Sequence, residues 1–158
     1  MFRIGFGFDT HKLEAGLPFR LGGIDVQHSK GAVGHSDADV LIHAVCDAIL
    51  GAAGLRDIGF QFPDSSPEFK GIDSNILLAR TCVVLKEKQF SVVNIDSTVV
   101  LQSPKISNLI PQMIAQLSEV MGIREEQVSI KAKTSENLGF IGREEGVSAY
   151  AVCLIQKM

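Results

Sequence analysis

Hydrophobic and polar side chains alternate along four stretches of the chain, and this alternation predicts β-strands over residues 2–8, 91–101, 127–133 and 147–156. Residues 19–26 carry the turn dipeptide Gly22-Gly23 between two short apolar runs, which predicts a β-hairpin. The strand at 91–101 places Asn94, Asp96 and Thr98 on the face opposite its apolar one. That polar face is expected to meet either solvent or another subunit around a symmetry axis.

Apolar residues recur at helical spacing between residues 40 and 52 and predict the first helix there. Ser36 is expected to be its N-cap, with Asp39 three residues later where a capping box places an acidic or amide side chain. Gly51 and Gly54 predict where this helix ends, because glycine readily adopts the left-handed conformation that closes helices.

Two further helices follow from the same spacing. One is expected over residues 75–88, after the capping pair Asp73-Ser74. For the other, Ser103-Pro104 predicts a start and Gly122 the end. Pro111 marks either a kink in this helix or the true start of its longer part.

The order of these elements predicts an α+β fold, in which a mixed β-sheet is covered by helices on one face. The other face of the sheet would be free for subunit contact around a trimer axis. With 158 residues and neither linker nor internal repeat, the chain is expected to form a single domain over residues 1–158.

Charge and hydropathy exclude several partners. The net charge of −3 does not favour nucleic acid binding, and no apolar stretch approaches the roughly 18 residues that span a bilayer. The apolar run at the N-terminus is short and is interrupted by Asp9, His11 and Lys12, which argues against a signal peptide and favours a cytoplasmic location. The three cysteines are far apart in apolar surroundings and are interpreted as buried thiols.

Two metal-ligating side chains lie two residues apart at the end of the first predicted strand. In an extended chain such side chains share a face, so the carboxylate of Asp9 and the imidazole of His11 project together. With His43 from the first helix they would form a three-ligand zinc site with an open position. Asp39 and Asp47, four residues on either side of His43, are expected to orient its imidazole. The alternatives are a polar strand end and a histidine paired with an acid on a solvated helix face.

Three other side chains could contact phosphate or a second cation. Lys105 lies in the first predicted turn of the third helix, where backbone amides attract anions. Arg143 has a guanidinium that can grip phosphate with two hydrogen bonds, and Glu136 offers a hard oxygen ligand suited to Mg²⁺. Each has a plainer alternative: a surface charge, an ion pair with a neighbouring glutamate, and a solvated loop acid.

Seven motifs, in the same order along the chain, resemble the 2-C-methyl-D-erythritol 2,4-cyclodiphosphate synthase family of the non-mevalonate isoprenoid route. The similarity extends essentially from end to end and is carried by residues 7–11, 34–43, 57–59, 62–64, 70–74, 102–105 and 131–146. It implies a metal-dependent lyase that converts 4-diphosphocytidyl-2-C-methyl-D-erythritol 2-phosphate to the cyclic diphosphate with release of CMP. It also implies a homotrimer with active sites at the subunit interfaces.

The resemblance further implies particular ligands and residues. Zn²⁺ would bind to Asp9, His11 and His43, and a second divalent cation, Mg²⁺ or Mn²⁺, would bind near Glu136. His35 and Thr134 would position the reacting phosphates. The remaining substrate contacts fall into three sets. The methylerythritol phosphate would meet Asp57, Ile58, Gly59, Phe62, Pro63, Asp64, Ser65 and Ser66. The cytidine pocket would be formed by Leu101, Gln102, Ser103, Pro104, Lys105, Ile106, Ser107, Ala132, Lys133 and Ser135. Further contacts would come from Ser36, Phe140 and Arg143.

Three positions depart from the family pattern. Phe6 stands where the family often has histidine, Lys133 where it often has threonine or serine, and Ser66 where an acid is common. Phe6 is not a metal ligand in this scheme, so its effect on zinc is expected to be small. Lys133 borders the nucleotide pocket, where it is expected to change affinity or to add a phosphate contact.

Two other functions fit the same metal ligands. A zinc hydrolase would use the trio to activate water and would need a base, for which His35 is the candidate. A zinc ion with a purely structural role would stabilise an oligomer. Such sites usually have four protein ligands, whereas the sequence offers three.

Overall fold

The structure is a computed structural model that describes residues 1–63 and 65–158, so the predicted contact Asp64 lies outside the described residues. The strands are β1 (Phe2–Ala15), β2 (Arg20–Leu21), β3 (Ile24–Asp25), β4 (Lys30–Ala32), β5 (Phe90–Val100), β6 (Val128–Lys133) and β7 (Gly146–Lys157). The helices are α1 (Val40–Ala53), α2 (Ile58–Gln61), α3 (Ser74–Glu87), α4 (Ile110–Met121) and α5 (Gly139–Gly142). Within the described ranges, no helix has the length and apolar character needed to cross a membrane.

Five strands form one mixed sheet in the order β4-β1-β7-β5-β6. The pair β5–β6 is parallel, whereas β1 pairs antiparallel with β4 and β7, and β7 pairs antiparallel with β5. The strands β2 and β3 form the predicted hairpin beside the sheet. The prediction of an α+β fold with a mixed sheet is therefore confirmed.

Helix α1 packs unusually close to strand β1, and two glycines make this approach possible. A Cβ atom on Gly5 would lie 1.9 Å from the carbonyl oxygen of Ala48, and one on Gly7 would lie 1.9 Å from that of Ala44. Because side chains two apart share a strand face, Asp9 and His11 continue the glycine row and point to the same helix. The close packing thus brings the strand ligands to the level of His43.

No helix of the described residues packs on the opposite face of the sheet, which is strongly apolar along β1. Phe2, Ile4, Phe6 and Phe8 are exposed by 47–72%, and Tyr150 of the neighbouring strand stacks beside Phe8 with ring centroids 5.0 Å apart. Their exposure as a contiguous row, rather than as scattered residues, marks this face as a candidate contact surface.

The polar side chains that were predicted for one face of β5 lie on this same free face. Asp96 is in register with Val152 of β7 and forms an ion pair with Lys131 of β6. The free face is therefore apolar on the β1 side and charged on the β6 side. A bulge at Val93 shifts the register near the start of β5, so the alternation predicted across that residue is interrupted.

Strand β1 is longer than predicted, because it continues through Lys12 and Leu13 to Ala15. These residues pair with β7 and with β4, a short strand that the sequence did not predict. Asp9 and His11 therefore lie in the middle of a strand, and their backbones pair with Ala149 and Val147 of β7.

The predicted N-cap of α1 was wrong. Asp39, not Ser36, caps the helix, and its carboxylate accepts a hydrogen bond from the amide of Ile42 at 3.1 Å. The same carboxylate is fully buried and also accepts from the amides of Gly22 and Gly23 at 3.0 and 2.7 Å. Asp39 therefore holds the β2–β3 hairpin against the start of α1.

The predicted start of the third helix at Ser103-Pro104 was also wrong. Helix α4 begins at Ile110 with Pro111 in its first turn, which is the second of the two alternatives. Residues 101–109 form a loop instead, and Gly122 closes the helix in the left-handed conformation as predicted.

Candidate active site

Asp9, His11 and His43 meet at the junction of β1 and α1. The Oδ2 atom of Asp9 lies 2.9 Å from Nε2 of His11 and 2.9 Å from Nδ1 of His43, and the two nitrogens are 3.1 Å apart. Ligands bound tetrahedrally at roughly 2.0–2.1 Å from a zinc ion are separated by about 3.3 Å, so these three atoms need to move little to bind one.

The imidazole of His11 is held in one orientation by strand β4. Its Nδ1 atom lies 2.9 Å from the carbonyl oxygen of Val33, immediately after that strand. A carbonyl can only accept, so Nδ1 carries a proton and donates it, which puts the lone pair of neutral His11 on Nε2, the atom that faces Asp9. When Nε2 is protonated as well, it donates to that carboxylate. A backbone carbonyl behind a histidine is a common arrangement at metal sites.

His43 is oriented differently from the prediction. Its Nε2 atom lies 3.0 Å from the hydroxyl oxygens of both Ser36 and Ser74. The expected acids make other bonds: Asp39 holds the hairpin, and Asp47 accepts a hydrogen bond from the amide of Ile58 at 2.7 Å. The prediction that they orient His43 was therefore wrong, since neighbouring helix positions need not face the same partner.

The charges of the trio are strongly coupled. Burial alone would raise the pKa of Asp9, but the hydrogen bonds from His11 and His43 and their positive charges outweigh it and hold the pKa far below its ordinary value. Burial would lower the pKa of His11, yet the bond and the charge of Asp9, aided by the carbonyl of Val33, raise it above the ordinary 6.5. The site therefore favours positive charge at its centre, from a proton or a cation.

The donor set fits a divalent cation with an open coordination position. Among the described residues, this is the one group of three or more His, Cys, Asp or Glu side chains whose ligand atoms all lie within 4.8 Å of one another. One carboxylate and two imidazoles form a typical set for catalytic zinc, in which substrate or water occupies the fourth position.

The trio opens onto a cleft of about 200 Å³, called here the first cleft. Its walls are partly polar and partly apolar and are formed by Asp9, His11, His35, Ser36, His43, Asp47, Ile58, Gly59, Phe62, Phe69, Ile72 and Leu77. The Nε2 atom of His35 is buried and has no hydrogen-bond partner among the described residues. An unpaired buried nitrogen beside a metal trio is suited to a polar ligand.

The loop between α1 and α3 forms one wall of the first cleft and carries several predicted contacts. Asp57 caps α2 by accepting from the amide of Phe60 at 2.8 Å, and Asp47 holds the amide of Ile58. Ile58, Gly59 and Phe62 line the cleft, whereas Pro63 and Ser65 are exposed and Ser66 is half-buried beside the 3₁₀ turn Pro67–Phe69.

A second cleft of about 130 Å³ lies between the loop after β5 and the end of β6. It is lined by Leu101, Gln102, Pro104, Lys105, Ile106, Ser107, Ala132, Lys133 and Thr134. The structure thus brings nearly all of the predicted cytidine contacts together around one concavity, with the cations Lys105 and Lys133 at its edge. The two clefts share no lining residue.

The remaining predicted residues lie around the second cleft without lining it. Ser135 donates from its hydroxyl to the carbonyl of Leu138, and Glu136 accepts from the hydroxyl of Thr134 at 2.9 Å. Glu136 and Asn137 both have positive φ, at 53° and 64°, in a tight turn. Ser103 is half-buried in the loop that lines the cleft.

Phe140 lies in the short helix α5, and Arg143 directly follows it. Arg143 donates two hydrogen bonds of 3.0 Å to the carboxylate of Glu145. This is the ion pair with a neighbouring glutamate that the sequence offered as the alternative to phosphate binding. Phe140 is 43% exposed and packs against Gly146 at the start of β7. In the isolated chain neither residue lines one of the two clefts.

The sequence prediction missed two residues next to the trio. Ser74 and Asp37 lie behind His43, and the hydroxyl of Ser74 donates to the carboxylate of Asp37. Ser74 belonged to a predicted capping pair, and Asp37 lay between Ser36 and Asp39 at the predicted start of the first helix. The sequence therefore gave no separate indication that either residue lies beside a metal ligand.

Comparisons with known proteins agree with one another. Residues 2–156 match the model of the YgbB family. A protein of Porphyromonas gingivalis named 2-C-methyl-D-erythritol 2,4-cyclodiphosphate synthase is 56% identical over 98% of this chain and 95% of its own. A solved structure of IspF from Plasmodium falciparum in complex with CDP superposes with a TM-score of 0.87 at 35% identity, covering 99% of this chain and 96% of that one. The bifunctional IspDF of Campylobacter jejuni reaches a TM-score of 0.96 at 37% identity; all of this chain covers 43% of that longer one.

Proposed function

The chain belongs to the YgbB family, and on this basis we propose that it converts 4-diphosphocytidyl-2-C-methyl-D-erythritol 2-phosphate to 2-C-methyl-D-erythritol 2,4-cyclodiphosphate and CMP. The resemblance noted in the sequence is confirmed by relatives that carry the name of this synthase at 53–56% identity. The structural observation that carries the proposal is the trio of Asp9, His11 and His43, which opens onto the first cleft.

The proposed reaction needs no nucleophilic side chain with a paired base. The 2-phosphate of the substrate attacks the β-phosphorus, a new P–O bond closes the ring, and the bond to the α-phosphate breaks with release of CMP. The attacking phosphate is already an anion near neutral pH, so the protein has to orient the reacting groups more than activate them. Good orientation contributes roughly 7–11 kcal/mol in favourable intramolecular reactions.

Zn²⁺ is the cation proposed for Asp9, His11 and His43, because two imidazoles and one carboxylate suit it. When bound, it would polarise the β-phosphate as a Lewis acid. The residues of the chain have separate tasks: His35 and Ser36 lie beside the trio, where they can donate hydrogen bonds to phosphate oxygens. Asp57 and its loop are proposed to hold the methylerythritol hydroxyls.

The second cleft is proposed to hold the cytidine diphosphate. CDP is bound in the Plasmodium falciparum structure named above, which supports a cytidine nucleotide as ligand. Thr134 lies at the end of this cleft and is proposed to position the phosphates. A second cation, Mg²⁺ or Mn²⁺, is proposed at Glu136, with the remaining oxygens supplied by the diphosphate, since Mg²⁺ is commonly held by one or two carboxylates and substrate phosphates.

A homotrimer with its active sites between subunits is proposed from two features. The two clefts have separate linings, so one substrate bound in both would have to bridge them, and a neighbouring subunit can supply the second. The apolar row on β1 offers a surface to bury. Sedimentation equilibrium is expected to give three times the chain mass of 17.1 kDa, and a stable monomer would contradict this arrangement. The cytoplasm is the proposed location.

One experiment tests the function and its metal together. Metal content and CMP release are measured on the same purified sample, before and after zinc removal with a chelator. The proposal expects close to one zinc per chain, CMP release that is lost on chelation and regained with zinc, and a cyclic product. Full activity without zinc would refute the metal role, and absence of CMP release from a zinc-loaded sample would refute the reaction.

A further inference from the structure

Behind His43, on the side away from Asp9 and His11, a short chain of hydrogen bonds ends at a carboxylate. We propose that Ser74 and Asp37 are positioning residues that keep the proton of His43 on Nε2, so that the lone pair of Nδ1 faces the cation site. This inference rests on the proposed metal site and adds two residues to it that contact neither the cation nor the substrate.

The geometry of the chain is well defined. Nε2 of His43 lies 3.0 Å from the hydroxyl oxygen of Ser74, and that hydroxyl is hydrogen-bonded to Oδ1 of Asp37. Ser74 is fully buried, so water does not compete for its hydroxyl. On the other side of the ring, Nδ1 of His43 lies 2.9 Å from the carboxylate of Asp9.

The direction of these bonds follows from the chemistry of the groups. An ionised carboxylate can only accept, so the hydroxyl of Ser74 must donate its single proton to Asp37. The oxygen of Ser74 can then only accept from the imidazole, which favours the proton of neutral His43 on Nε2. Without a cation, the carboxylate of Asp9 at Nδ1 attracts the same proton in the opposite direction; a bound cation removes that competition. The carbonyl of Val33 fixes His11 by the same logic, so both imidazoles present lone pairs to the same point.

Ser36 completes the arrangement on the side of the first cleft. Its hydroxyl oxygen lies 3.0 Å from Nε2 of His43 and accepts a hydrogen bond from the amide of Ala38 at 3.2 Å. Because His43 already carries its proton on Nε2, Ser36 does not need to donate there. Its own proton is left for an acceptor in the first cleft, such as a phosphate oxygen.

Asp37 is anchored at both oxygens, which makes it a precise place for a substitution. Oδ1 accepts from the hydroxyl of Ser74 and, at 3.3 Å, from the backbone amide of Asp39. Oδ2 accepts from the backbone amide of Ser74 at 3.0 Å and lies 3.7 Å from Nε of Arg20. In an Asp37→Asn variant, the amide oxygen is expected at the Oδ2 position, because the nearer backbone donor and the positive charge of Arg20 are both there. The NH₂ group then faces the hydroxyl of Ser74, which turns its proton towards His43 and favours the tautomer with the proton on Nδ1.

The test uses Asp37→Asn in the full-length chain, with Asp25→Asn as the matched control. Asp25 is an exposed carboxylate that pairs with Arg20 at 3.0 Å, as Asp37 does at 3.7 Å, but within the described residues it makes no hydrogen bond to His43 or Ser74. Two quantities are measured. The first is the tautomer of His43, from ¹⁵N NMR at about pH 9, well above the ordinary imidazole pKa, in metal-free protein that also carries Asp9→Ala, which removes the competing acceptor at Nδ1. The second is the zinc affinity of the same variants with Asp9 intact, from competition with a chelator.

In the Asp9→Ala background, the expected result is a proton on Nε2 without a further substitution and with Asp25→Asn, and a shift to Nδ1 with Asp37→Asn. Zinc affinity should fall by about 10–100-fold in Asp37→Asn alone. Ser74→Ala, which leaves Ser36 as the one hydroxyl at Nε2, should give a mixture of tautomers and a smaller loss. An Asp37→Asn variant with an unchanged tautomer and unchanged affinity would overturn the inference.

This outcome is distinguishable from failure of the proposed function. If the unmodified chain bound no zinc, the metal role would be lost, yet the tautomer measured without metal would still decide the positioning role. If zinc bound equally to all variants, the inference alone would fail, and CMP release would continue to support the reaction.

Discussion

The Nδ1 atom of His43 lies 2.9 Å from the Oδ2 atom of Asp9, although 34 positions separate the two residues in the chain. One residue comes from the middle of a strand and the other from the first turn of a helix. Gly7 allows the two elements to approach so closely that these side chains meet. The metal site is therefore a consequence of how β1 packs on α1.

Replacing His43 with alanine should abolish CMP release and lower the zinc content. The side chain is 12% exposed and lines the first cleft, so its loss should leave the fold intact. Zinc per chain, CMP release and the far-UV circular dichroism spectrum are measured together. An active, zinc-free variant would contradict the ligand assignment, and an unfolded one would show that His43 is needed for stability.

Replacing Asp57 with alanine should weaken substrate binding while zinc remains bound. Asp57 caps α2 at the wall of the first cleft but is absent from the metal trio. Asp57→Asn is the matched control, because asparagine caps helices about as well as aspartate but lacks the charge. A raised KM in both variants indicates that the charge matters, whereas a raised KM in alanine alone indicates the cap. Loss of zinc from either variant would show that the site is mislocated.

Gly7→Ala should strongly destabilise the chain, because the new Cβ would lie 1.9 Å from the carbonyl oxygen of Ala44. Forcing β1 and α1 apart should cost about 1–3 kcal/mol or more in the free energy of unfolding and reduce zinc affinity. Gly51→Ala is the control on the other side of this contact, in α1, where the new Cβ would lie 3.9 Å from the carbonyl oxygen of Phe6. It should stabilise the helix by up to about 1 kcal/mol. Urea denaturation compares the two, and equal stabilities would refute the packing argument.

A rise in pH above 6.5 should lower the free energy of unfolding of the metal-free chain and raise that of the zinc-bound chain. The pKa of His11 is raised above 6.5 by its bond to Asp9. The stability that this pair contributes is complete below 6.5 and is lost as the pH rises through the higher pKa of the folded state. Zinc competes with that proton, so zinc-bound protein should gain stability over the same interval.

Urea denaturation in chelator and in zinc, between about pH 6 and pH 9, measures both slopes. His11→Gln, which lacks the titrating imidazole, should reduce the metal-free loss of stability. If the metal-free chain became more stable as the pH rose, the proposed pairing of His11 with Asp9 would be wrong.

The strand ligands could be predicted from the sequence because their relationship is local. Asp9 and His11 share a face by the two-residue period of a strand, and the structure confirms this. His43 could be proposed as their partner from its residue type and its helix. Its true neighbours, Ser36 and Ser74, could not, because they depend on how the starts of α1 and α3 meet.

The errors at the helix starts have a common physical origin. Ser36 and Asp39 are both good caps, and the local pattern cannot decide which of them the tertiary structure uses. Burial against the amides of Gly22 and Gly23 selected Asp39, which left Ser36 to face the first cleft. Similarly, Ser103-Pro104 has the composition of a helix start but belongs to the loop that lines the second cleft.

The most direct test of the central claim is the origin of the oxygen atoms in the product. The reaction is run in ¹⁸O-labelled water with the zinc-loaded chain, and the product is analysed by mass spectrometry. Because the 2-phosphate of the substrate is the nucleophile, the account predicts a cyclic diphosphate that contains no oxygen from water. A linear product that carries one labelled oxygen would contradict it and would identify the chain as a zinc hydrolase.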